Sequence, residues 1–178
     1  MREYLGMSID FSEDDKVKVT MIDYIDNMLK GLPEDMAGEA ATPASKRLFN
    51  VNDDAEKLNS DTGGFFHHNT AKLLFLCKRA CPDIQTEVAF LCTGIQHPDV
   101  DDYKKLCRVM KYLRKTATMQ LTLEADGTNI IKWWVDASYA IHPDLKSHTG
   151  GVMSLGKGTI YGSTSPKQKL NTKSSPEA

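Results

Sequence analysis

Two carboxylates, Asp136 and Glu177, are placed where they could do chemistry together. Asp136 closes the β-prone run Ile130-Ile131-Lys132-Trp133-Trp134-Val135 and by alternation shares a face with Trp134 and Lys132. A carboxylate there must be solvated, paired or bound to a cation, because burying it alone is costly. Glu177 follows Ser175 and Pro176, which suit a helix cap and a first helical position. Each residue alone has a plain explanation: Asp136 starts a turn, and Glu177 sits where the helix dipole favours an acid. Brought together, they would form half of a magnesium site. Two such ions take hard oxygen ligands, clamp a scissile phosphate, activate water and stabilise the leaving oxygen.

A second group is basic. Lys104, Lys105, Arg108, Lys111, Arg114 and Lys115 surround an apolar stripe of Tyr103, Leu106, Met110 and Leu113. That pattern predicts an amphipathic helix over about 100–115. Its charged side is either an ordinary solvated face or a face for a phosphate backbone. The whole chain has a net charge of −2 over 178 residues, but the charges are segregated. Residues 1–60 hold 7 basic and 13 acidic side chains, whereas residues 103–178 hold 12 and 5. A basic C-terminal part on an acidic chain suits a polyanion partner for that part.

The elements that position these residues follow from periodicity. Leu5, Met7, Ile9 and Phe11 alternate with polar residues, and Lys16 to Val19 alternates again after a polar turn, predicting an N-terminal hairpin. Thr20 and Asp23 resemble a capping box for a helix carrying Ile22, Ile25 and Leu29. Residues 31–62 have no sustained period and are expected to connect, partly as a mobile segment. Helices are expected over about 65–78 and from Pro82 through Ile95. After Gly127 the pattern turns to strands, with Thr149–Leu155 and Thr159–Thr164 joined by the turn Gly156-Lys157-Gly158. Those three strands predict an antiparallel meander.

Other features exclude more than they assign. No stretch is apolar enough to cross a bilayer, and the first residues lack a secretory pattern. The four cysteines, Cys77, Cys81, Cys92 and Cys107, have no zinc-site spacing with His67, His68 or His97, and suit small buried hydrophobes in a reducing compartment. His67-His68 reads as a polar helix start, and Trp133 and Trp134 as packing residues rather than base-stacking platforms. Both ends of the chain are expected to be cuts through structure.

The ordered set of motifs resembles copia-type retrotransposon polyproteins. Trp134-Val135-Asp136-Ala137-Ser138-Tyr139-Ala140, Ser147-His148-Thr149-Gly150-Gly151, Ile160 to Lys169 and Ser174-Ser175-Pro176-Glu177-Ala178 look like their ribonuclease H segment. Tyr4, Leu5, Gly6 and Met7 resemble the primer-grip region that follows the polymerase motif. Thr42-Pro43, Pro82-Asp83-Ile84 and Arg108 to Arg114 match between them. The resemblance implies an α+β chain: residues 1–20 as a primer-grip-like hairpin ending the palm, 21–126 as a helical thumb or connection, and 127–178 as a truncated ribonuclease H-like meander. It implies Asp136 and Glu177 as catalytic, Mg2+-binding carboxylates, and the basic helix as a contact to an RNA–DNA hybrid or template-primer. The remainder of the polyprotein would be a partner, in cytoplasmic virus-like particles and the nucleus. Two departures stand out: Lys78-Arg79-Ala80-Cys81 is longer than the usual segment before Pro-Asp-Ile, and Pro176 replaces a threonine. In the family the paired polymerase aspartates lie upstream and further ribonuclease H aspartates downstream, so this piece alone is expected to be inactive. A non-catalytic nucleic-acid-binding or domesticated remnant is the alternative.

Overall fold

A computed structural model describes residues 1–138 and 147–164. Strands β1 (Arg2–Tyr4), β2 (Met7–Asp10) and β3 (Lys16–Thr20) open the chain, followed by helix α1 (Ile22–Leu29). Helices α2 (Ser60–Cys77), α3 (Gln85–Thr93) and α4 (Val100–Thr116) come next. Strands β4 (Leu121–Ala125), β5 (Lys132–Ser138), β6 (His148–Ser154), β7 (Gly156–Lys157) and β8 (Tyr161–Thr164) complete the order.

Two antiparallel sheets result. One has the order β1-β2-β3-β4-β7, the other β5-β6-β8. The second is the expected meander. The first holds three departures from expectation. The alternation from Leu5 is broken at its start, because Leu5 (φ 50°) and Gly6 (φ 78°) form a two-residue turn between β1 and β2, with Tyr4 opposite Met7. Positive φ at both central positions is what a tight hairpin requires. β4 pairs with β3 along Lys16–Val19, although its residues do not fall within any expected strand. Gly156-Lys157 is not merely a turn, because it pairs with Glu124 and Ala125 and so ties the two sheets together. Gly158 follows at φ +79°, where an added Cβ would meet Thr122 O at 2.1 Å.

The helices differ from expectation at their ends. α1 begins after Met21, without a side-chain cap, because Thr20 is spent in β3. α2 begins at Ser60, five residues before the expected start, because Asn59 accepts a hydrogen bond from the Thr62 N–H at 2.9 Å. Pro82 opens a 3-10 turn that runs into α3. α4 carries a capping box: Asp99 Oδ1 accepts from the N–H groups of Asp101 and Asp102, each at 3.0 Å. Lys57 adds an ion pair to Asp99 at 3.2 Å.

The core lies between the helices and the inner face of the larger sheet. Phe66, Leu73 and Leu76 from α2 meet Ile84, Val88 and Leu91, and Leu106, Met110 and Leu113 from α4. Ile25, Met28 and Met36 close it from the N-terminal side. Among the described residues no buried apolar side chain follows Leu113. The smaller sheet instead leaves Trp133, Trp134, Val135 and Tyr161 more than half exposed. It leans on the helices at a few polar points, where Lys78 Nζ donates to Gly162 O at 3.0 Å and Gln85 approaches Gly162 closely.

Candidate nucleic-acid interface and carboxylate cleft

Asp136 sits in β5 directly opposite Gly150 of β6. The two glycines there, Gly150 and Gly151, put no side chains beside the carboxylate. Asp136 is exposed and its Oδ1 accepts from the Ala137 N–H at 2.9 Å. It lines a cleft of about 540 Å3 between the smaller sheet and the start of α3, with Trp134, Gln85, His148 and Thr164. Among the described residues Asp136 is the lone carboxylate on that lining. Glu177, the expected second ligand, lies outside the described residues. Among the described residues no group of three or more His, Cys, Asp or Glu is arranged to hold a metal ion. Among the described residues the cleft therefore offers a cation one carboxylate, Asp136.

The six basic residues of α4 fall into distinct environments. Arg108 Nη2 donates to Thr42 Oγ1 at 2.9 Å, and Lys105 Nζ donates to Asn50 O at 2.8 Å. Lys105 also lies 4.5 Å from the centre of the Phe90 ring, and burial pushes its ammonium down from the ordinary range. Lys104 pairs with Asp101 one turn earlier, at 2.8 Å. Arg114 and Lys115 are exposed, with no ion pair among the described residues. Lys111 is half-buried, and its backbone O accepts from the Ala40 N–H at 3.2 Å. The segment expected to be a mobile connection is thus fastened along α4, with its own Met36 and Leu48 buried.

The primer-grip-like residues occupy the β1–β2 hairpin. Tyr4 and Leu5 are exposed, whereas Met7 packs against the core. An added Cβ at Gly6 would lie 3.6 Å from the Met21 side chain, so its left-handed φ rather than crowding calls for glycine.

Sequence reasoning did not find a second cleft of about 560 Å3 between α3, α4 and the 43–52 segment, lined by Glu87, Arg47, Lys104, Lys105 and Arg108. Glu87 falls on the third helix three residues after Ile84, at core spacing, and a carboxylate on an apolar face was the available signal. The cysteines behave as expected of small hydrophobes. Cys77, Cys81 and Cys107 are buried, all four are free, and Cys81 precedes rather than joins a helix. Burial pushes the thiol of Cys77 up to about 11, Cys81 to about 12 and Cys107 to about 11.

No protein-family model and no solved structure matches the chain. A transposon relationship is what sequence comparison supports. The chain is 26% identical over 169 residues to the "Putative transposon Ty5-1 protein" of Saccharomyces cerevisiae, an alignment covering 94% of this chain. The chain spans about half of that relative, 54% of its length.

Proposed function

We propose that this chain is the C-terminal part of a copia-type reverse transcriptase joined to the first strands of its ribonuclease H domain. The observation that carries the reading is the likeness to a transposon protein along 94% of the chain. The three-stranded meander with Asp136 on its first strand supports it, because a ribonuclease H-like fold begins in that manner. In the parent polyprotein Asp136 and Glu177 would hold Mg2+, which supplies charge neutralisation and a water activated for phosphodiester hydrolysis. Within this chain Asp136 presents an open carboxylate to that site. The exposed end of α4, at Arg114 and Lys115, would follow the phosphates of an RNA–DNA hybrid or template-primer, with the β1–β2 hairpin toward the primer terminus. The rest of the polyprotein would be its partner, in cytoplasmic virus-like particles and the nucleus.

The alternative is a non-catalytic nucleic-acid-binding or domesticated remnant, with Asp136 the carboxylate on the described lining of its cleft. The test uses the 178-residue chain with a labelled RNA–DNA hybrid and Mg2+. The expected result is salt-sensitive binding without cleavage. Binding that is absent at low salt removes the nucleic-acid reading. Cleavage abolished by Asp136→Asn removes the claim of inactivity.

A further inference from the structure

The cleft between α3, α4 and the 43–52 segment contains an unmatched acceptor and an unmatched donor. Glu87 is 8% exposed, and its Oε2 is buried without a hydrogen-bond partner. Arg108 Nε, on the neighbouring helix, is buried in the same condition. Buried polar atoms are normally satisfied, so two in one cleft need an explanation. Neither satisfies the other. Lys105 and Arg47 add positive charge along the same lining, Lys104 lies there paired with Asp101 at 2.8 Å, and Leu48, Leu91 and Val109 add apolar surface.

An anion alone would meet the cationic side and leave the Glu87 carboxylate facing more negative charge. A ligand carrying both an anionic group and N–H donors would satisfy both sides. The volume, about 560 Å3, lies within the usual range for small-ligand sites. We propose that this cleft binds a nucleoside monophosphate, with the phosphate among Arg47, Lys104 and Arg108 and the N–H edge of the base on Glu87. Guanine is the best match, because its adjacent ring and exocyclic N–H groups suit a single carboxylate. The apolar lining receives the base plane and the sugar. The site stands on its own geometry and does not depend on the retrotransposon reading.

Calorimetric titration of the 178-residue chain with guanosine 5′-monophosphate, and separately with inorganic phosphate, tests this. The expected result is saturable one-to-one nucleotide binding, tighter than phosphate by about tenfold or more. Glu87→Gln should weaken the nucleotide by about tenfold and leave phosphate unchanged, whereas Lys104→Ala should weaken both. Equal affinity for nucleotide and phosphate would reduce the cleft to an anion site and overturn the proposal. So would no binding at millimolar nucleotide, or a Glu87→Gln variant that binds like the unmodified chain. If Glu87→Gln failed to fold, the nucleotide-to-phosphate ratio on the unmodified chain and the Lys104→Ala titration would decide the matter.

Discussion

Arg108 of α4 donates through Nη2 to the Thr42 hydroxyl at 2.9 Å, holding the 40–52 segment against a helix that its sequence presents as a free basic face. The hydrogen bond is local, but it changes which charges are available. Lys105 is held on the same side by Asn50 O and the Phe90 ring. Arg114 and Lys115, on the last turn, are exposed and, unlike exposed Lys104, have no ion pair among the described residues.

Hybrid binding should therefore depend more on the end of α4 than on its middle. Arg114→Glu with Lys115→Glu is expected to reduce affinity for an RNA–DNA hybrid and to lower the salt slope by about one for each phosphate no longer neutralised. Lys105→Gln should change the slope little. Fluorescence anisotropy across a salt series measures both. An unchanged slope in the double variant would place the hybrid elsewhere.

Glu87 should make stability fall as pH rises. Burial raises its carboxyl pKa above the ordinary 4.5, so the native state keeps a proton that the unfolded chain gives up. Below about 4.5 both states are protonated and Glu87 contributes no pH dependence. Above it the unfolded state ionises first, and stability drops until pH passes the native value. Glu87→Gln removes that loss, so its Tm should exceed that of the unmodified chain at pH 7 by more than at pH 4. Half-buried Asp102 is also raised, but it is present in both proteins and cancels. Thermal melts with parallel pH profiles for the two proteins would rule the effect out.

The start of α4 depends on one side chain. Asp99→Ala removes both accepted N–H bonds and the Lys57 partner, and should cost about 1–2 kcal/mol. At this chain length each kcal/mol corresponds to roughly 2–4 °C in Tm. Gly94→Ala should disturb the same cap, because its Cβ would lie 2.7 Å from Asp102 Oδ2. Urea titrations of both variants measure the loss, and an Asp99→Ala midpoint equal to that of the unmodified chain would contradict the capping role.

The cysteines should resist alkylation while the chain is folded. Thiols raised to about 11 or 12 are almost wholly protonated at pH 8, and the thiolate is the nucleophile. Iodoacetamide at pH 8 should label Cys77, Cys81 and Cys107 slowly in buffer and rapidly in denaturant, by mass spectrometry. Fast native labelling at these positions would mean that the packing around them opens readily.

Local patterns were legible where one face is buried and the other wet. The stripe Leu106, Met110 and Leu113 located α4, because burial imposes a period on the sequence, whereas the β-prone run Ile130 to Val135 located β5 although Trp133, Trp134 and Val135 are exposed. β4 was missed because Leu121 to Ala125 is short and its partner, β3, lies far away along the chain. The α2 start was missed because Gly63 and Gly64 obscure a helix that tertiary packing stabilises. Asp136 could be singled out from its strand-end position. The Glu87 cleft could not, because its other wall is the 43–52 segment, whose course along α4 follows from side-chain interactions that carry no period.

The pairing of Val17 with Leu123 makes all of the described helices an insertion between two neighbouring strands. Closing that sheet requires joining residues roughly a hundred positions apart, a pairing that favours slow assembly. During synthesis, β3 must wait with an open edge until β4 has left the ribosome, and a nascent chain stalled before residue 121 would expose that edge to other strands.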